Sequence, residues 1–240
     1  MKVGIVLPSF RSTADEALAV AERAEQAGID GVFCFDHLWP LGQPHRPAIA
    51  PFPLLGAVAR RTERVCIGTL VARIGLVPDD VLRGEFAALD LVAPGRVIAG
   101  LGTGDHLSAA ENAAFGLPAT SAGQRLESLA RCASALHADG VAVWIGGRHR
   151  STKAIAEDLG VAVNLWAAPV GEVAEQSGRS EVTWAGVPPG GASGANGGND
   201  NADNDNALRA LVSSLASAGA SWAVFAWPVS LEKLAESARR

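Results

Sequence analysis

Only three cysteines occur in the 240 residues, Cys34, Cys66 and Cys132, and none forms a Cys-x-x-Cys pair. Cys34 and Cys66 sit inside apolar runs, where a free thiol packs as a small hydrophobe, so buried core thiols are expected rather than disulfides or metal ligands. That usage suits a reducing cytoplasm. Long hydrophobic runs are also missing: no stretch approaches the roughly 18 uninterrupted apolar residues that a membrane-spanning helix needs. Residues 1–8 lack the longer apolar core and small-residue cleavage site of a secretory signal, and read better as a first strand. Excess positive charge is absent as well, with 20 Lys and Arg against 25 Asp and Glu. A net charge of −5 argues against nucleic acid or an acidic membrane surface as partner.

What is present is a large apolar content, 48% of residues against 19% charged. A chain of this length buries roughly 70–75% of its unfolded surface and needs no staples. One domain spanning 1–240 is expected.

Short apolar, β-branched runs occur at Val3–Leu7, Gly31–Phe35, Val65–Val71, Arg96–Leu101, Val141–Ile145, Val161–Trp166, Glu181–Ala185 and Trp222–Trp227. Their near-continuous apolar character fits parallel strands covered on both faces. Helical patterns lie between them. Thr13 and Glu16 have the spacing of a capping box, with Gly28 as the stop. Leu82, Phe86, Leu89 and Ala93 share one helical face before Pro94-Gly95. Further patterns carry Leu126, Leu129, Ala133 and Leu136, then Leu208, Leu211, Val212 and Leu215. Shorter helices are expected over 51–62, 151–159, 169–176 and 231–238, the last capped by Ser230. Eight such units in 240 residues average 30 each, which predicts an α/β fold of the (β/α)8 TIM-barrel type. An open doubly wound sheet is the alternative, but its Gly-x-Gly-x-x-Gly fingerprint is missing after the first strand. Residues 190–206 are low in complexity and expected to form a mobile, solvated loop. Asp200, Asp203 and Asp205 there do not have EF-hand spacing.

Barrel active sites gather where the strands end, so the residues just after each strand form a short list. After the second strand comes Asp36-His37, and an imidazole can serve as acid or base near neutral pH; a rim histidine that only hydrogen-bonds is the plainer alternative. Gly102, Thr103 and Gly104 after the fourth strand would let backbone approach a flat ligand, or form a tight turn. After the fifth strand, Gly146-Gly147 precede Arg148, His149, Arg150 and Lys153, with Ser151-Thr152 opening a helix. Cations at a helix N-terminus oppose its dipole, and a bound anion would reverse that cost. A solvated basic loop remains the alternative.

Four stretches occur together in the right order: Asp36-His37-Leu38-Trp39, Ile67-Gly68-Thr69-Leu70-Val71, the segment Pro94 to Asp105, and Val143-Trp144-Ile145-Gly146-Gly147. In these the chain resembles the luciferase-like monooxygenase superfamily, and within it the small coenzyme F420-dependent (deazaflavin) oxidoreductase branch. The resemblance implies hydride transfer between F420 and a small organic substrate, and a homodimer. It implies His37 as acid/base, with Asp105 as a second proton carrier where related sugar-phosphate dehydrogenases have glutamate. Asp36, Thr69, Leu70, Val71, Gly102, Thr103 and Gly104 would lie around the ring, with a non-proline cis bond at Leu70-Val71. Gly146, Gly147, Arg148, Ser151 and Thr152 would hold the cofactor phosphate. An FMN-dependent monooxygenase and a non-catalytic flavin- or deazaflavin-binding protein are the alternatives. A metal-dependent hydrolase using His37, His45 and His106 lacks His-x-His or paired-carboxylate spacing. Family members carry a longer insertion before the fifth strand. Here 102–140 alone link strands four and five, so residues closing over a substrate are expected to be largely missing.

Overall fold

β-branched and apolar residues fit a pleated surface covered on both sides, and every one of the eight expected runs forms a strand. A computed structural model describes residues 1–104, 108–191 and 202–239. The strands are β1 (Lys2–Val6), β2 (Gly31–Cys34), β3 (Cys66–Thr69), β4 (Ala72–Arg73), β5 (Val97–Gly102), β6 (Ala142–Gly146), β7 (Ala162–Trp166), β8 (Val182–Gly186) and β9 (Ala220–Ala226). The third expected run is split: β3 and β4 flank a cis peptide at Leu70-Val71, the bond implied by the family resemblance.

The helices are α1 (Asp15–Ala27), α2 (Pro51–Arg61), α3 (Asp79–Val92), α4 (Ala109–Ala114), α5 (Ala122–Ala138), α6 (Arg150–Leu159), α7 (Val170–Ser177), α8 (Ala202–Ser217) and α9 (Leu231–Ala238). Strand neighbours run β3-β2-β1-β9-β8-β7-β6-β5-β4, and β3 also pairs with β5 through Ile67 opposite Val97 and Gly68 opposite Ile98. That pairing closes the sheet. With every ladder parallel, the fold is a (β/α)8 barrel.

Side chains alternate along each strand, so two cores form. Val3 and Ile5 join the large layer beneath the helices, whereas Val6 joins Phe33, Ile98, Trp144, Trp222 and Val224 in a second cluster. Phe33 lies 5.0 Å from Trp144 and 5.9 Å from Trp222, centroid to centroid. These three aromatics fit because glycine lies beside them: a Cβ on Gly4 or Gly31 would come within 2.9 Å of a ring carbon of Phe33 or Trp222.

Two local expectations are corrected. Thr13 and Glu16 form no capping box: α1 is capped at Ala14 without a side-chain hydrogen bond. The Glu16 carboxylate is held elsewhere, accepting from Arg11 Nε at 2.6 Å and Trp227 Nε1 at 3.2 Å. The segment 190–206 is not loop throughout, because α8 begins at Ala202. Asp203 and Asp205 fall in its first turn, where carboxylates favour the positive end of the dipole. Residues 192–201 lie outside the described residues. The other stops hold: Gly28 ends α1 with φ 86°. All three cysteines are free; Cys34 and Cys132 are buried and Cys66 is partly so. Burial pushes the Cys34 thiol well above its ordinary range and the Cys132 thiol up to about 11.

Candidate functional site

Where β2, β4, β5, β6 and β7 end, the barrel opens into a cleft of about 540 Å3. One side is aromatic. Phe10 stacks on Phe35 with centroids 5.9 Å apart, and Phe35 meets Trp166 edge-on at 5.6 Å. Leu70 and Val71 form an adjoining apolar wall. Glycine permits it: a Cβ on Gly102 or Gly146 would lie 2.5 or 2.7 Å from the Val71 side chain.

The opposite edge is polar. His37 follows β2, lines the cleft, and has Nδ1 3.1 Å from Glu111 Oε2. Glu111 stands on α4 with its side chain fully buried. It also accepts from Leu38 N through Oε1 and from Arg73 Nη1 at 3.1 Å through Oε2. Buried carboxylates persist only where such donors replace water. Arg73, 5% exposed, uses only part of its guanidinium this way; Nε and Nη2 have no hydrogen-bond partner among the described residues. Its backbone N–H donates to Asp36 Oδ2 at 2.9 Å. Burial pushes the Asp36 carboxyl above its ordinary range, against the lowering effect of that hydrogen bond and the Arg73 and His37 charges.

Most expected site residues meet in this cleft: Asp36, His37, Leu70, Val71, Gly102, Thr103, Gly104, Gly146, Gly147, Arg148 and Thr152. Asp105 and His106 lie outside the described residues. Thr69 does not line the cleft; it is fully buried and its hydroxyl donates to Gly100 O at 2.7 Å. Ser151 does not line it either. Its N–H donates to His149 Nδ1 at 3.2 Å, because His149 caps α6.

The charge argument for the basic loop needs correction too. Glu172 on α7 accepts from Arg148 Nε at 2.9 Å and from Lys153 Nζ at 3.0 Å, so one carboxylate is shared by two of the loop's cations and offsets part of their charge. The Arg148 hydrogen bond and Lys153 hold the Glu172 carboxyl below its ordinary range despite partial burial. Sequence reasoning also missed Glu111 and Arg73. Arg73 could have been found from its place just beyond the third strand. Glu111 carries no such mark, since it is one acidic residue in a short helix. That helix lies in the short link, 102–140, in which residues closing over a substrate are expected to be largely missing.

The family model for luciferase-like monooxygenases matches residues 1–159. Over 104 residues the chain is 43% identical to an F420-dependent glucose-6-phosphate dehydrogenase of Beutenbergia cavernae, covering 43% of this chain and 30% of that protein. It is 33% identical over 153 residues to the protein of the same name from Microbacterium testaceum, covering 62% and 42% respectively. The chain thus spans less than half the length of these curated relatives. Among solved structures, an F420-dependent secondary alcohol dehydrogenase superposes with TM-score 0.77 at 15% identity, covering 100% of this chain and 99% of that one. At that identity the likeness establishes the fold.

Proposed function

Since the chain belongs to the luciferase-like monooxygenase family, we propose that it is an F420-dependent oxidoreductase exchanging a hydride with a small organic substrate. The observation that carries this reading is the position of His37 on the polar edge of a cleft whose other side is aromatic. Such a cleft fits a flat, polar-edged ring. Arg73 supports the fit, because a buried guanidinium in the wall, with two nitrogens that have no partner among the described residues, favours acceptor atoms beside it. When bound, the deazaflavin supplies the site's hydride chemistry. Phe35, Leu70, Val71 and Trp166 would flank the ring and exclude water, and Asp36 and Arg73 would meet its polar edge. Gly102, Thr103 and Gly104 would let backbone approach it. Gly146, Gly147, Arg148 and Thr152 would hold its phosphate, with Arg148 turning from Glu172 to do so.

An alcohol loses a proton as it gives up hydride, and His37 would accept that proton; in the reductive direction it would return it. Asp105 would assist. The reading places the protein in the cytoplasm as a homodimer joined through α2 and α3, with no membrane or nucleic-acid partner. Titration with F420 and with FMN, read by absorbance and fluorescence, tests the cofactor. Binding of F420 with hydride uptake from a panel of secondary alcohols and sugar phosphates is expected. Retention of FMN alone would favour an oxygen-using monooxygenase, and F420 binding without turnover a carrier protein.

A further inference from the structure

We propose that Glu111, held by Arg73, is the positioning residue that fixes the His37 ring with hydrogen on Nδ1 and leaves Nε2 as the acceptor. An imidazole nitrogen takes its donor or acceptor role from the bond its ring partner makes. Here the partner of Nδ1 is Glu111 Oε2, 3.1 Å away.

That oxygen behaves as an acceptor because of what surrounds the carboxylate. Leu38 N donates to Oε1, and Arg73 Nη1 donates to Oε2 at 3.1 Å. With donors on both oxygens, the group that can share Oε2 with Arg73 is another donor, Nδ1–H. The Nε2 lone pair is then left for a proton coming from elsewhere. The arrangement is preorganised: Glu111 is fully buried and Arg73 is 5% exposed, so neither side chain is free to swing into solvent.

A purely structural Glu111 would need less. The Leu38 bond alone joins α4 to the segment after β2, and it uses one oxygen. The second oxygen serves His37 and Arg73, which brings 37, 73 and 111 together from three separate parts of the chain. Among the described residues, the charged groups around the imidazole are Glu111, Arg73 and Asp36. When the ring is protonated, its charge lies against the Glu111 carboxylate, as an imidazolium beside a carboxylate does in hydrolytic triads.

This inference rests on the acid/base role of His37 given above, and its test separates the two. Nitrogen NMR of the full chain labelled with 15N-histidine, without cofactor and at a pH where the rings are neutral, reports which His37 nitrogen carries hydrogen. His37→Gln assigns the signal. Hydrogen on Nδ1 is expected in the parent chain, with that preference lost in Glu111→Gln, whose amide cannot replace a doubly accepting carboxylate. Turnover of the F420-loaded Glu111→Gln protein should fall by about 10²–10⁴-fold, the usual contribution of general acid–base catalysis, with F420 affinity little changed. A parent chain with hydrogen on Nε2 would overturn the proposal, whatever the variants do. So would a Glu111→Gln protein that keeps both the Nδ1 signal and full turnover. If the tautomer shifts as expected but His37→Ala keeps its turnover, the positioning stands and the acid/base role falls.

Discussion

The backbone N–H of Arg73 donates to the Asp36 carboxylate across 2.9 Å, joining β4 to the end of β2 at the mouth of the barrel. Burial nevertheless dominates Asp36 and holds its folded-state pKa above the ordinary value of 3.8. A carboxyl raised in this way binds its proton more tightly folded than unfolded. Its contribution to stability is therefore full below the ordinary value and is lost as pH rises through the folded one. Asp36→Asn keeps an oxygen for the Arg73 N–H and removes the charge. Thermal melts should place it above the parent at pH 7, with the gap narrowing toward about pH 4. A variant that melts lower at every pH would show that the ionised carboxylate is the stabilising form.

His37→Ala should lower turnover by roughly 10²–10⁴-fold with F420 affinity little changed, because the side chain moves a proton rather than holding the cofactor. A fluorescence titration with single-turnover kinetics separates the two effects. Normal turnover across pH 6–8 would remove the assignment. Reduced F420 binding with intact turnover at saturation would leave His37 as a rim hydrogen-bonder.

The basic loop gives a pair of opposite expectations. Arg148→Ala should weaken F420 binding by about tenfold or more, the usual cost of losing a charge-assisted hydrogen bond. Glu172→Gln should do the reverse, since it releases Arg148 and Lys153 from a competing carboxylate. Unchanged affinity in both proteins would make the loop solvated surface only.

Glycine replacement separates close approach from mere flexibility. A Cβ on Gly100 would lie 2.1 Å from the Thr69 carbonyl oxygen, which is backbone and cannot swing aside. Gly100→Ala should therefore cost about 3 kcal/mol or more, at or beyond the upper end of ordinary overpacking. Gly56 on α2 meets nothing within 4 Å, so Gly56→Ala should stabilise the isolated chain by about 0.5–1 kcal/mol. Chemical denaturation in parallel checks both.

Leu91 on α3 is 85% exposed, and Val81 and Val92 are about half so. If α2 and α3 join two copies, Leu91→Glu should shift sedimentation from dimer to monomer at micromolar concentration without lowering the monomer's stability. A parent chain that sediments as a monomer removes the dimer.

By itself the sequence determined the barrel. Eight apolar runs alternating with helical patterns carry their own period, and a parallel strand advertises its burial on both faces through residues adjacent in the chain. It also determined which loops face the site, since a barrel places its strand ends on one rim. His37, Gly102 and Gly147 could be read in that way. What only the tertiary structure decided is which charges meet. Glu111 lies 74 positions from His37, and Glu172 lies 24 from Arg148. No local period records such partners, because a carboxylate's partner is chosen by which donors the folded chain carries to it. Thr13 and Glu16 show the same limit: despite capping-box spacing, Glu16 is held by Arg11, five residues away, and by Trp227, 211 away. Ala202–Ser217 shows it in reverse. Polar composition near Asp203 suggested loop, yet helix can begin there because the apolar stripe that follows packs Leu208, Val212 and Leu215 into the core.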